Sequence, residues 1–268
     1  MQILTQNEYF GVQRRELFHK GISLSEYDYF DPGTPMHYHE NPYFMYVIAG
    51  NMVDVNKSGA SLLPPGSLMF LNWQEVHRTE KKSNRGRGFH LQIERKWLEA
   101  QEINAGLWEG SQVLNHPDFH LQLSKIHYEF RQADNFSILS IELLVLELCG
   151  LLTNKFIVPL KHPPLWMDQL KEILHGSAEN LSLEELSTEL GVHPVHISRT
   201  VPVFLDSTLG EYRRKLRVSK ALPLLLSKEA SLAQIAFESG FSDQSHFNRV
   251  FKFYYGKTPA RFRKQAGV

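Results

Sequence analysis

The stretch SLAQIAFESGFSDQSHFNRVF, Ser231 to Phe251, decides how the C-terminal part of this chain folds. It opens on Ser231 and places Gln234 three residues later. That spacing is a capping box: the hydroxyl serves one orphan amide at a helix start and the longer side chain serves another. Leu232 and Ile235 give the helix an apolar side, and Gly240 falls where it must stop. A positive φ costs glycine least, so glycine reverses the chain tightly there. Beyond it Phe247, Val250 and Phe251 recur at i, i+3 and i+4, one buried stripe of a second helix. The other side carries Gln244, Ser245, Asn248 and Arg249, which hydrogen-bond in several directions.

The same plan occurs 49 residues earlier, in SLEELSTELGV, Ser182 to Val192. Ser182 pairs with Glu185, Leu183 and Leu186 match Leu232 and Ile235, and Gly191 matches Gly240. A second helix follows again, beginning at Pro194, where proline is well placed. In it the alignment slips to 50, pairing Ile197 with Phe247 and Arg199 with Arg249. Helix, glycine turn and helix make a helix-turn-helix, in which the first helix braces the second. The exposed side chains of such a second helix fit a DNA major groove, Arg forking onto guanine and Gln or Asn onto adenine. One such pattern is a weak signal; two in tandem, each with a capping box, are a strong one. Between them Arg213, Arg214, Lys215, Arg217 and Lys220 form either a solvated helix face or a set of phosphate contacts. Lys257, Arg261, Arg263 and Lys264 add charge near the end.

Charge agrees with that reading without demanding it. The 268 residues carry 29 Lys and Arg against 29 Asp and Glu. From Leu165 to Val268 the count is 14 against 11, a mildly basic half compatible with a polyanion partner. Cys149 stands alone among apolar neighbours, which predicts a buried structural thiol in a reducing compartment. The first residues, MQILTQNEYFGVQRREL, lack the apolar core of a signal peptide, so a cytoplasmic location is expected. The most apolar run, ILSIELLVLELCGLL, contains Glu142 and Glu147, which argues against a membrane span.

The first third reads as strands. LSEYDYF, YFMYVIAG, NMVDVNK, GSLMFLNW and GRGFHLQIE are short, rich in aromatic and β-branched residues, and separated by turn formers. Such spacing predicts an antiparallel sandwich or barrel. Two helices follow, near 118–153. Phe119, Leu123, Ile126 and Phe130 mark one; Ile138, Ile141, Val145, Leu148 and Leu152 mark the other. The second is also apolar at Leu139, Leu143 and Leu146, so it must bury two sides, the second against a partner chain or within the monomer. NKFIVPLKHPP, Asn154 to Pro164, holds three prolines and no period, and reads as a linker.

On these residues the C-terminal part, from about Leu165 to Lys264, resembles the AraC/XylS family of bacterial transcription regulators. The match rests on Leu183–Leu186, Gly191–Val192, Ile197–Arg199, Arg217, Ala221 and Leu225, and on nearly all of Ser231 to Lys264. The resemblance implies two helix-turn-helix units, about 182–204 and 231–254, joined by a long helix and entering successive major-groove segments of promoter DNA. Val195, Ser198 and Arg199, then Gln244, Ser245 and Arg249, match its base-facing positions, with His196, His246 and Asn248 beside them. Pro202 and Pro223 depart from the pattern; the first predicts an early end or bend in a recognition helix, the second a kink in the linking helix.

MHYHENPYFMYVIAG, Met36 to Gly50, and PPGSLMFLNWQEVH, Pro64 to His77, resemble the two cupin motifs. That implies a small antiparallel β-barrel with a ligand cavity. In metal-binding cupins an HxH pair, a glutamate and a later histidine hold the ion. His37, His39 and His77 match the histidines, Phe44 or Tyr43 stands where the glutamate would be, and Glu40 is near. The metal is thus an open alternative, and no other cofactor is expected. Tyr46, with the three histidines, is expected to line an effector pocket; Tyr27, Tyr29, Tyr43 and Trp73 line it or fill the core.

The expected architecture is α+β in two domains. Residues 1–160 form a cupin-like effector-binding and dimerisation domain, and 161–268 an all-α DNA-binding domain. The expected function is sequence-specific transcription regulation, not catalysis. The partners are double-stranded promoter DNA, a small-molecule effector, a second copy and, for an activator, RNA polymerase, with no membrane. The competing reading is a metal-dependent cupin enzyme with an accessory DNA-binding domain.

Overall fold

The computed structural model describes residues 2–157, 163–176, 181–226 and 230–265. The chain divides at Val158–Pro159 into two compact units. The linker expected at 154–164 falls partly on 158–162, outside the described residues, while its first residues, Asn154 to Ile157, belong to a helix.

In the first unit the strands are β1 (Gln2–Leu4), β2 (Val12–His19), β3 (Ile22–Tyr29), β4 (His37–His39), β5 (Tyr43–Ala49) and β6 (Met52–Asn56). They continue with β7 (Gly59–Leu63), β8 (Leu68–Leu71), β9 (His77–Lys81), β10 (Gly86–Ile93) and β11 (Gln112–Val113). They form two sheets, in the orders β1-β4-β9-β6-β7 and β11-β8-β5-β10-β3-β2. Pairing is antiparallel except between β1 and β4. Tyr43, Met45 and Val47 of β5 meet Met52 and Leu63 of the other sheet, which places an apolar core between the sheets.

The inner strands of the six-stranded sheet, β3, β5, β8 and β10, are buried on both faces, whereas the edge strand β2 is mostly exposed. Successive strand residues point to opposite faces, so Phe89 of β10 turns outward while its neighbour His90 turns inward. Phe89 meets His127 and Phe130, at ring distances of 4.6 and 5.5 Å, on a covering helix. The helices of this unit are α1 (Arg95–Ala100), α2 (Pro117–Gln132) and α3 (Ser137–Ile157). Ile141, Val145, Leu148 and Leu152 form the buried stripe of α3, and Cys149 is buried beside them, where burial pushes its thiol up to about 12. Phe136, Leu139 and Leu143, at i, i+3 and i+7, remain 75, 60 and 55% exposed. By length and composition α3 is apolar enough to cross a membrane, but its inner stripe packs on its own unit.

The second unit is helical: α4 (Trp166–Gly176), α5 (Leu183–Leu190), α6 (Pro194–Leu205), α7 (Leu209–Leu225), α8 (Leu232–Glu238), α9 (Gln244–Tyr255) and α10 (Pro259–Gln265). Both capping boxes form. Ser182 Oγ accepts from Glu185 N–H at 3.1 Å and Ser231 Oγ from Gln234 N–H at 3.2 Å. The reciprocal bonds to Glu185 and Gln234 are 2.6 and 2.8 Å. Gly191 and Gly240 adopt φ of +63° and +81°, the left-handed turns that release each first helix. One Ser→Ala change at either cap removes a bond the helix start has no substitute for. Ser182→Ala and Ser231→Ala are each expected to lower stability by about 1 kcal/mol, read as a shifted urea midpoint.

Leu186, Leu190, Ile197, Val201 and Leu205 pack α5 and α6 onto α4 and the start of α7. Phe247, Phe251 and Phe262 do the same for the second pair, with rings 5.6 and 5.3 Å apart. Neither proline ends its helix: α6 runs through Pro202 to Leu205, and α7 through Pro223 to Leu225. Each ring deletes one backbone hydrogen bond, but Val201 and Leu205, and Leu222 and Leu225, are buried around the gap and hold the turn closed.

Candidate functional sites

The outer face of each second helix follows from its stripe. At 3.6 residues per turn each residue advances about 100°. With Phe247, Val250 and Phe251 inward, Ser245 and Arg249 point directly away, and both are exposed, as is Gln244 at the helix start. His246 and Asn248 stand about 100° to either side of Phe247, and both are half-buried. The His246 ring lies edge-on against Phe241 at 5.5 Å, with Nδ1 3.1 Å from Ser242 Oγ. Asn248 keeps its Oδ1 inside the unit without a hydrogen bond. These two therefore flank the outward face and do not belong to it. On α6 the outward set is Val195, Ser198 and Arg199, with His196 exposed but leaning on Trp166 at 5.8 Å.

The helix starts are fixed by side chains. Asp243 Oδ1 accepts from His246 N–H at 2.7 Å, and His193 Nδ1 accepts from Val195 N–H at 3.3 Å. Around α9 the field is positive. Burial lowers the His246 pKa first, and Arg217, Arg249 and Arg214 lower it further while Asp243 opposes them. Arg213, Arg217 and Lys220 of α7 are half-buried, and burial depresses all three. Arg214 is exposed.

Between the two sheets lies a cavity with about 50 Å³ of free space, walled by Tyr9, Tyr29, His37, His39, Tyr43 and His90. Tyr9 stacks on His90 at 3.9 Å, and the Tyr29 hydroxyl sits 2.8 Å from His90 Nε2. Burial pushes His90 down to about 3 and the phenols of Tyr9, Tyr29 and Tyr43 up, so these four side chains are uncharged at neutral pH, while Asp31 and Lys81 also border the cavity. Tyr46 is a correction to the sequence reading. It is one residue from Met45, so strand alternation turns it to the opposite face of the sheet, away from the cavity. Tyr27 and Trp73 are not on the wall either: the Tyr27 hydroxyl donates to the Asn7 carbonyl at 2.9 Å, and Trp73 lies under Arg95 at 5.2 Å. Sequence reasoning missed His90 and Tyr9. His90 shares an alternation face with Gly88 and Gln92, a usable signal; Tyr9 sits in a loop with no pattern to find it.

His37 and His39 share the inner face of β4, and His77 of β9 pairs directly with His37. Among the described residues these three form the group whose ligand nitrogens converge, all within 4.8 Å of one another, and all three are buried. Burial, reinforced by the neighbouring imidazoles, pushes His39 down to about 2 and His77 to about 3; burial lowers His37 as well. All three are neutral near pH 7, the form that binds metals. His39 leaves both ring nitrogens buried without a partner, which costs roughly 1–3 kcal/mol for each group left so. At the position expected for a carboxylate stands Tyr43, its hydroxyl 3.2 Å from His77 Nε2. Phe44 points to the far face against Phe70, and Glu40 is exposed. The donor set thus fits a metal that prefers imidazole, without the carboxylate.

Residues 19–149 match the family model for the AraC-like ligand binding domain, and residues 186–265 that for a helix-turn-helix domain. The chain is 37% identical over 86 residues to PqrA of Proteus vulgaris, described as a probable transcription factor; the match spans 32% of this chain and 70% of PqrA. It is 28% identical to the Msm operon regulatory protein of Streptococcus mutans, across 37% of this chain but only 36% of that protein. Among solved structures, apo ToxT from Vibrio cholerae aligns over 92% of this chain and 98% of its own, at 15% identity and a TM-score of 0.42. With a ligand-binding domain of the AraC type ahead of paired helix-turn-helix units, the chain belongs to the AraC family of transcription regulators.

Proposed function

We propose that the protein reads promoter DNA sequence through α6 and α9 and that a small molecule bound between the two sheets controls it. The observation that carries the first part is the pair of capped helices turning Arg199 and Arg249, with Ser198, Ser245 and Gln244, to the outside. Forked donors and acceptors on an exposed helix face are what base-edge readout requires. A mobility-shift titration across promoter fragments tests it. The expected result is a preferred fragment whose affinity falls steeply with salt, since phosphate contacts release counterions. Equal affinity for every fragment would rule out sequence reading.

The cluster of neutral aromatic side chains on the wall supports the second part. Its free space of about 50 Å³ holds only a few waters, whereas small-molecule sites span roughly 300–1,000 Å³. An effector of ordinary size therefore has to displace part of the wall, and Tyr9, held by a loop, is the element to move.

Two copies are proposed to pair along α3. Phe136, Leu139 and Leu143 line a single exposed stripe, and an amphipathic seam of this spacing packs against its own copy. Leu139→Arg with Leu143→Arg is expected to convert a dimer to a monomer in analytical ultracentrifugation without altering far-UV circular dichroism. A species of unchanged mass would place the interface elsewhere. RNA polymerase is a partner if the bound dimer activates transcription.

A further inference from the structure

We propose that His37, His39 and His77 hold one divalent transition-metal ion of the zinc class, with the Tyr43 hydroxyl at its fourth position, facing the cavity. The site is assembled by strand geometry. His37 and His39 lie two residues apart on β4, so they share a face, and the β4–β9 register puts His77 opposite His37. Ring centroids are 4.3 Å apart for His37 and His77, and 5.2 Å for His37 and His39.

The hydrogen bonds orient the rings as metal ligands are oriented. His37 Nδ1 lies 2.8 Å from the Pro35 carbonyl and His77 Nδ1 3.3 Å from the Glu75 carbonyl. A carbonyl only accepts, so each Nδ1 carries the proton and each Nε2 keeps its lone pair. His39 has no hydrogen bond at either nitrogen although it is buried, which a bond to an ion would resolve. Tetrahedral zinc with bonds of about 2.0–2.1 Å sets its nitrogens about 3.4 Å apart. From the present spacing, within 4.8 Å, the three need close by no more than about 1.4 Å, within reach of ring rotation. Tyr43 and His39 stand 4.4 Å apart by ring centroid, so the phenol caps the open side. His37, His39 and Tyr43 also line the cavity. The Tyr43 position is therefore the one an incoming ligand oxygen would take.

The metal site shares the cavity proposed for the effector, but metal binding is read directly and needs no effector. The full chain, without a tag, is stripped with a chelator, dialysed and titrated with Co²⁺, whose visible absorption reports four-coordinate nitrogen ligation. The expected result is saturation at one equivalent per chain, reversed by Zn²⁺. His39→Ala and His77→Gln should each weaken binding by roughly a hundredfold or more. Tyr43→Phe should keep the stoichiometry and alter the cobalt spectrum. Circular dichroism of each variant establishes that it folds. Absence of saturable absorption in the folded wild-type chain would overturn the site. Undiminished binding in a folded His39→Ala or His77→Gln variant would overturn it equally, and an unchanged spectrum in Tyr43→Phe would remove Tyr43 from it.

Discussion

Arg249→Ala is expected to weaken binding to the preferred promoter fragment by roughly 5- to 150-fold, the equivalent of about 1–3 kcal/mol for one forked base contact. Binding to unrelated DNA should change little. The asymmetry follows from where the side chain stands. Ser245 and Arg249 lie one helical turn apart, opposite the stripe formed by Phe247, Val250 and Phe251, so the guanidinium projects from the outermost line of α9. A phosphate contact would behave differently. It would lose affinity uniformly across sequences and reduce the slope of log affinity against log salt by about one. Fluorescence anisotropy at four salt concentrations, on preferred and scrambled duplexes, separates the two outcomes. A uniform loss with a smaller slope would reassign Arg249 to the DNA backbone. Asn248→Ala is the informative companion, because its Oδ1 is turned inside the unit and a base contact is not expected of it.

That contrast between Arg249 and Asn248 shows how far the sequence carries. Helical period assigns Phe247 inward and Arg249 outward, since each is near an extreme of the wheel. Asn248 lies at the boundary, where tertiary packing decides, and a polar residue type does not reveal that choice. The tandem hairpins were legible because capping chemistry is local: Ser182 with Glu185, and Ser231 with Gln234, form their bonds within one turn. The five strands read from aromatic and β-branched runs were legible for the same reason. Missed were β2, whose residues Val12 to Leu17 alternate weakly between exposed polar side chains, and the short β1, β4, β7, β9 and β11. Such segments acquire strand structure from their neighbours rather than from their own composition.

Tyr46 failed for a reason of symmetry. A strand with one wet face betrays its register through alternation, but β5 is buried on both faces, under α-helices on one side and the second sheet on the other. Its sequence is therefore apolar throughout, and the choice between Tyr43 and Tyr46 as the cavity residue is invisible before pairing is known. Pro202 and Pro223 show the reverse case. Local chemistry allows an early end at Pro202, but α6 continues through it to Leu205, with Val201 and Leu205 buried on either side; α7 likewise continues past Pro223. The histidine pair of β4 was legible, because HxH places both rings on one face whatever the strand pairs with. Its meeting with His77 depends on register.

The largest stability effect is expected at Glu26, which lies almost fully buried beneath α2. Arg131 Nη1 reaches both carboxylate oxygens, at 3.0 and 2.9 Å, and His127 Nε2 lies 2.7 Å from Oε1. Burial by itself would raise the Glu26 pKa; the His127 hydrogen bond and the charge of Arg131 outweigh it and hold the carboxyl at about 2, against an ordinary 4.5. A depressed folded-state pKa means that the unfolded chain takes up the proton first. The stabilisation is thus complete above about pH 4.5 and is lost as pH falls toward about 2. The shift corresponds to about 3 kcal/mol. Glu26→Ala should destabilise the first unit by about 3–5 kcal/mol, because it strands the Arg131 charge in a largely dry setting. It should also flatten the acid limb of the stability profile between pH 4.5 and 2. Urea titrations followed by tryptophan fluorescence report this unit, which contains Trp73, Trp97 and Trp108, once Trp166 of the second unit is replaced by Phe in all variants. Glu26→Leu combined with Arg131→Met replaces both charges by apolar volume and should recover most of the loss, since removing a whole buried ion pair is far less costly than halving it. A double variant as unstable as Glu26→Ala would mean that the shape of the site, and not its charge pairing, holds α2 against β3.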